Sequence, residues 1–281
     1  MSIDVQNKPK HTDKRTKPYN FCLSFFAFVI VLILGTACQD NNVENSQKLL
    51  VGTAASLENL FIDLAADFET KHETDLVLVV SASGSLAHQI KSGAPIDLFV
   101  SANKSISDGV SNAMVLENSR HTFAYGKLAL VTNLNFETPM SWKDVVLDDR
   151  VEYISIPNPE LAPYGAKAIE ILRNSEIYPT ISKRIVFSSN VSNSLQFVKS
   201  GNAQVGFIAL SQFHSGLTDG LNIWEVTDCS EGELGQTILI NKSTLSPALA
   251  RSFATYLKSN ASNKIIESFG YSLKPFACGQ H

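Results

Sequence analysis

Apolar positions along the chain fall into short runs separated by longer amphipathic stretches. Leu49-Leu50-Val51-Gly52 is one such run, after which Leu57, Leu60, Phe61, Leu64, Ala65 and Phe68 recur at the three-and-four spacing of a helix face. Residues 76–80 are continuously apolar and β-rich, which predicts a strand buried on both faces. Residues 86–90 read as helix, ending at Ser92-Gly93, and residues 97–100 as the next strand. The pattern predicts further strands at 128–131, 153–156, 185–187, 205–208 and 237–240, with helices between them and two more after Pro247. Alternation of this kind gives an α/β fold, with mostly parallel sheets covered by helices. The length exceeds one doubly wound unit, so two lobes are expected. No internal repeat and no Pro/Gly/Ser-rich linker marks where they divide.

The first residues carry a different pattern. Lys8, Lys10, Lys14, Arg15 and Lys17 precede an apolar run from Phe21 to Leu34. At about 14 residues the run falls short of the roughly 20 that an α-helix needs to cross a bilayer, so residues 1–37 read as an export signal. Leu34-Gly35-Thr36-Ala37-Cys38 resembles the lipobox of bacterial lipoproteins, in which the cysteine becomes the lipidated first residue. A lipid on Cys38 tethers a protein to a membrane without embedding it; simple cleavage after Ala37 is the alternative. Residues 38–48 form a polar linker.

Composition narrows the class. Apolar residues at 44% and charged residues at 18% match an ordinary globular protein and exclude disorder, coiled coil and a polytopic membrane protein. The net charge is −4, with no dense basic run beyond the first twenty residues, so nucleic acid is excluded as a partner. Loss of residues 1–37 takes the charge to −7. Any affinity for an anion must then come from local geometry. Cys229 and Cys278 remain, either as a bridge in an oxidising compartment or as two separate thiols.

Four strand-to-helix junctions are rich in glycine and small hydroxyl residues. They read Thr53-Ala54-Ala55-Ser56, with Ser56 expected at an N-cap; Ser81-Ala82-Ser83-Gly84-Ser85; Pro157 to Gly165, before a helix from Ala166; and Ser188-Ser189-Asn190-Val191-Ser192. Helix N-termini leave backbone N–H groups unpaired and carry partial positive charge, which suits an anion. At any single junction ordinary helix capping by Ser or Thr explains the composition equally well. Four together lie at the carboxyl ends of strands, where open α/β folds bind ligands.

Val51-Gly52-Thr53-Ala54-Ala55-Ser56-Leu57 and the stretch from Ser83 through Gln89-Ile90-Lys91-Ser92-Gly93-Ala94-Pro95-Ile96-Asp97-Leu98-Phe99 to Ala102 resemble the periplasmic molybdate-binding proteins of ABC transporters. Residues 158–165 and 201–211 extend the likeness, which runs from Leu49 to about Leu273. The resemblance implies a two-lobed type II periplasmic-binding-protein fold with the ligand in the interlobe cleft. It places one lobe at 49–128 and 238–275, the other at 129–237, and a C-terminal tail at 276–281. It implies a monomer in the periplasm or cell envelope that passes molybdate or tungstate to a membrane permease and its ATPase. Ser56 and Ser83 would donate through hydroxyl and backbone, and Tyr164 and Val191 through backbone N–H. Some members of the family add a tyrosine hydroxyl at the position held here by Ala209. The molybdenum would be held only as its oxyanion, with no direct side-chain ligand to the metal and no cofactor.

Other classes find less in the sequence. There is no Gly-x-Ser-x-Gly elbow, no Cys-x-x-Cys and no metal-spaced pair among the six histidines, and His88 reads as a partly exposed helical residue. An enzyme is therefore not expected. A ferric-ion binder would want tyrosine, histidine or carboxylate ligands, and a phosphate binder an Asp or Arg near the first two junctions. A sulfate or phosphate protein of the same architecture, or a tethered surface sensor, is the alternative reading.

Overall fold

The structure, a computed structural model, describes residues 47–136, 140–226 and 234–276. The expected export signal, the Cys38 region, Cys229 and Cys278 lie outside the described residues.

Ten strands form two five-stranded sheets. β1 (Gln47–Ala54), β2 (Thr74–Ser81), β3 (Leu98–Ser101) and β4 (His121–Gly126) belong to the first, with β10 (Leu234–Ile240) inserted between β3 and β4. β6 (Ile154–Pro157), β7 (Ile185–Ser188), β8 (Val205–Ala209) and β9 (Asn222–Val226) belong to the second, with β5 (Leu128–Thr132) inserted between β8 and β9. The orders, β2-β1-β3-β10-β4 and β7-β6-β8-β5-β9, follow one plan. In each sheet four strands run one way and a single strand, β10 or β5, runs against its two neighbours. That odd strand is in each case the one reached by the chain coming from the other sheet. Leu128 therefore pairs in the second sheet and residues 234–237 in the first, whereas the family resemblance draws the lobe boundaries at 128/129 and 237/238.

Each sheet is covered by amphipathic helices. The helix Glu58–Glu69 buries Leu60, Phe61, Leu64, Ala65 and Phe68, the face its spacing predicts. Phe61 and Phe68 meet Phe253 edge-on, with ring centroids 6.1 and 5.1 Å apart, so the helix Pro247–Tyr256 returns to the first lobe. Burying each such side chain stabilises the fold by about 1.5–3 kcal/mol. In the second lobe the helix Pro163–Asn174 packs on β6 and β8 through Ala168, Ile169, Ile171 and Leu172.

Two expectations change. Residues 76–80 are not buried on both faces: β2 is an edge strand with Leu76 buried, Leu78 and Val79 partly buried, and Val77 38% and Val80 36% exposed. Leu76 and Leu78 pack on the main core from one face and Val79 on a smaller cluster from the other, and each face leaves one valine open. The strands β4 and β9 have no counterpart in the sequence reading. Both are edge strands, and polar residues such as His121, Thr122 and Glu225 interrupt the apolar runs that mark central strands.

Candidate functional site

The four junctions meet in a ring. In the first sheet Thr53 pairs with Val80 and Ala54 with Ser81, which sets the carboxyl ends of β1 and β2 side by side. In the second, Pro157 pairs with Ser188, bringing the third and fourth junctions together in the same way. The second and third are joined across the lobes by the Gly84 N–H, which donates to the Leu161 carbonyl at 2.8 Å. A Cβ on Gly84 would stand 3.0 Å from the Leu161 Cα and carbonyl oxygen, so only glycine permits this approach. The first and fourth share a small pocket lined by Ala55, Ser56, Ser192, Ser211 and Gln212 among others, with no charged side chain in its wall.

Helix capping does not explain the composition of these junctions. Ser56 is not an N-cap. It lies inside a 3₁₀ turn, Ala55–Leu57, that leads into the helix Glu58–Glu69, and neither element has a side-chain cap. The helix Ser83–Lys91 starts three residues earlier than its apolar face suggests, with Ala82 at the N-cap and no side-chain cap. The helix Pro163–Asn174 likewise begins before Ala166, with Ala162 uncapping it and Pro163 and Tyr164 in its first turn. Pro163 has no N–H to satisfy and its ring suits that position. Only Asn190 caps its helix, Val191–Lys199, by accepting the Asn193 N–H. The N–H groups of Ser83, Tyr164 and Val191 consequently meet no acceptor among the described residues.

The two serine hydroxyls differ in their surroundings. Ser83, 1% exposed, accepts the Ala102 N–H at 3.0 Å, which fixes its oxygen and leaves its proton to give away. Ser56, 6% exposed, has an Oγ that makes no hydrogen bond of good geometry, with the Tyr164 and Tyr271 hydroxyls beside it. Its carbonyl, by contrast, takes two donors: Ser211 Oγ at 2.9 Å from the other lobe and the Tyr271 hydroxyl at 2.8 Å. These bonds orient the 3₁₀ turn. Carbonyls and N–H groups point opposite ways along a helical turn, so the open N–H end is held in place by contacts at the carbonyl end.

Tyr164 enters the site through its backbone alone. Its side chain, 2% exposed, runs to Gly126 at the end of β4, where a Cβ would come within 2.2 Å of the hydroxyl. That hydroxyl makes no hydrogen bond of good geometry. Burial first, and then the neighbouring Tyr271, push its ionisation well above the usual phenol range, and burial pushes Tyr271 up to about 12. Both remain neutral, and neither adds negative charge beside the cleft. Val191, also buried, contributes position and a free N–H. Ser83, Tyr164 and Val191 do not line the small pocket that Ser56 lines; what links the junctions is strand pairing and the Gly84–Leu161 hydrogen bond. Among the described residues no group of His, Cys, Asp and Glu is arranged to hold a metal ion.

The model of the bacterial extracellular solute-binding proteins matches residues 49–272, which spans both sheets and all four junctions. The chain belongs to this family. Among extracellular solute-binding proteins, the molybdate-binding protein of Azotobacter vinelandii is 29% identical over 266 residues, covering 90% of this chain and all of that one. The molybdate-binding protein of Rhodobacter capsulatus is 28% identical over 246 residues, with 87% and 94% covered. The solved structure of the Azotobacter vinelandii periplasmic molybdate-binding protein superimposes with a TM-score of 0.75 at 28% identity, covering 81% of this chain and 100% of that one. The fold class and the family resemblance read from the sequence are thereby established.

Three residues of the site escaped the sequence reading. Ser211, Gln212 and Tyr271 reach it from a short helix, Ser211–His214, and from the segment after the last helix. No periodicity or spacing signals them, because their role depends on the two lobes meeting.

Proposed function

We propose that this extracellular solute-binding protein captures molybdate or tungstate in the interlobe cleft and delivers it to an ABC permease and its ATPase. The observation that carries the reading is the ring of four junctions, three of them without a side-chain cap, with the Ser56 and Ser83 hydroxyls buried at two. A dianion placed there replaces water with many charge-assisted hydrogen bonds from neutral donors, which offsets its desolvation. Ser56 and Ser83 donate through hydroxyl and backbone; Tyr164 and Val191 donate through N–H. The names borne by the relatives from Azotobacter and Rhodobacter support molybdate as the anion. A rigid ring sized for a large tetrahedral anion leaves sulfate or phosphate with stretched bonds.

In this reading the protein works in the periplasm or cell envelope, as a monomer, with residues 1–37 removed and Cys38 either lipidated or released. The lobes follow the sheets, one built on residues 49–128 and 238–275 and the other on 129–237 apart from the few boundary residues noted above. No chemical step is assigned to the site, which offers donors and no nucleophile activated by a base.

Isothermal titration of the purified protein with molybdate, tungstate, sulfate and phosphate tests the proposal. Tight binding of the first two with no heat from the others is the expected result. Binding of sulfate or phosphate in preference, or of none of the four, overturns it.

A further inference from the structure

The segment that ends β8 supplies a group the resemblance did not bring with it. Ala209, where some relatives of this kind were expected to carry a tyrosine hydroxyl, is fully buried and offers no side-chain donor. Three residues on, Gln212 folds back so that its Oε1 accepts the Ala209 N–H at 3.1 Å. A backbone N–H can only donate, so this bond dictates which end of the carboxamide is oxygen and which is nitrogen. The oxygen is committed to Ala209. The nitrogen, with two hydrogens to give, meets no acceptor although the residue is only 3% exposed.

Gln212 lines the same small pocket as Ser56, whose Oγ likewise makes no hydrogen bond of good geometry, although the Tyr164 and Tyr271 hydroxyls stand beside it. A buried polar atom left without a partner destabilises the fold, because its lost hydration is not replaced. Two such groups around one space mark a place built for an oxygen. The space amounts to about 10 Å³, close to that of a single water and hence of one oxygen vertex of a tetrahedral anion. The remaining oxygens of such an anion are left for Ser83 and the first-turn N–H groups.

We propose that Gln212 is a ligand-binding residue whose Nε2 donates, opposite Ser56, to one oxygen of the bound oxyanion, in place of the hydroxyl that Ala209 does not carry. The assignment rests on the oxyanion reading above and deepens it. Because Nε2 donates and cannot accept, it offers a protonated oxyanion no acceptor, and only the Ser56 hydroxyl could take such a hydrogen at this vertex. The residue therefore favours the fully deprotonated dianion over a monoprotonated one.

The test is titration of the purified protein and two variants with molybdate, alongside thermal melting of each without ligand. Gln212→Glu keeps an oxygen on the Ala209 N–H but puts a carboxylate oxygen where the nitrogen stood; affinity should fall by ~100-fold or more with melting close to the parent. Gln212→Met removes the donor without adding charge and should weaken binding by roughly 10-fold or more, the range for a hydrogen bond to a charged group. If the parent binds molybdate and both variants bind it equally well, the pocket holds only a water and the proposal is overturned. If the parent binds no tetrahedral oxyanion, the functional reading fails and takes this assignment with it. Should Gln212→Met melt early because Ala209 loses its acceptor, Gln212→Glu decides.

Discussion

Replacing Gly84 by alanine separates the closing of the lobes from the stability of the fold. The Gly84 N–H bonds the Leu161 carbonyl at 2.8 Å, and an added Cβ would sit 3.0 Å from both that oxygen and the Leu161 Cα. These are backbone atoms and cannot swing aside, so the lobes must part by a few tenths of an ångström. Overpacking of this kind costs about 1–3 kcal/mol. The cost falls on the closed arrangement alone, because nothing crowds position 84 once Leu161 has moved away. Ligand binding draws on closure, so affinity should drop by the corresponding ~5–150-fold. Gly84 also lies in the first turn of the helix Ser83–Lys91, where alanine is the better helix former by up to about 1 kcal/mol in open and closed states alike. The unliganded protein should then melt at the same temperature or higher while molybdate binds more weakly. Calorimetric melting without ligand and isothermal titration with it read the two effects independently. Affinity within twofold of the parent would refute the reasoning, as would a melting temperature that falls in step with affinity.

Ser56→Ala and Ser83→Ala should each weaken oxyanion binding by about 1.5–3 kcal/mol, measured by titration. They should differ in stability: Ser83→Ala strands the Ala102 N–H and lowers the melting temperature, whereas Ser56→Ala removes an oxygen that makes no hydrogen bond of good geometry and does not. Tyr164→Phe should leave affinity unchanged, since only the backbone N–H is used, and should hold or raise stability by deleting a buried unpaired hydroxyl; a tenfold loss of affinity would place the phenol in the site. For alkaline pH the sign follows from Tyr271, which burial raises from the ordinary value near 10 to about 12. Its neutral form is favoured by folding, so its stabilising contribution is complete below pH 10 and is lost as pH climbs through about 12. Ultraviolet titration of tyrosinate should show Tyr271 ionising late, together with a loss of stability over that interval.

Much of the fold was legible because central strands and amphipathic helices leave strong local signals. β1, β3, β5, β6, β7, β8 and β10 each follow an apolar run, and the helix Glu58–Glu69 follows its spacing residue by residue. Edge strands do not write themselves so plainly: β4 and β9 are interrupted by polar residues, and β2 imitates a doubly covered strand while exposing Val77 and Val80. The common plan of the two sheets is invisible in the sequence, since it lies in strand order and not in repeated residues. At the site, the small residues of the four junctions were conspicuous, but their meaning was ambiguous between capping and binding. The helix starts remove capping at three of the junctions, because they put alanine or leucine at those cap positions. Gln212 was illegible for a different reason. An amide acquires direction only when something binds one end of it, and here that something is a backbone N–H three residues away.

The reversed strands carry a consequence for how the molecule comes into being. β10 completes the first sheet by pairing with β3 and β4, yet it follows the whole of the second sheet in the chain. Asn241 and Thr244 then reach back 145 and 147 residues to Ile96 and Asp97. A chain made amino end first therefore leaves the edges of β3 and β4 bare until β10 has arrived. Contacts so distant form slowly, and open strand edges invite pairing with other molecules. The threading that crosses twice between the sheets thus makes the segment from Leu234 onward the step on which escape from aggregation depends.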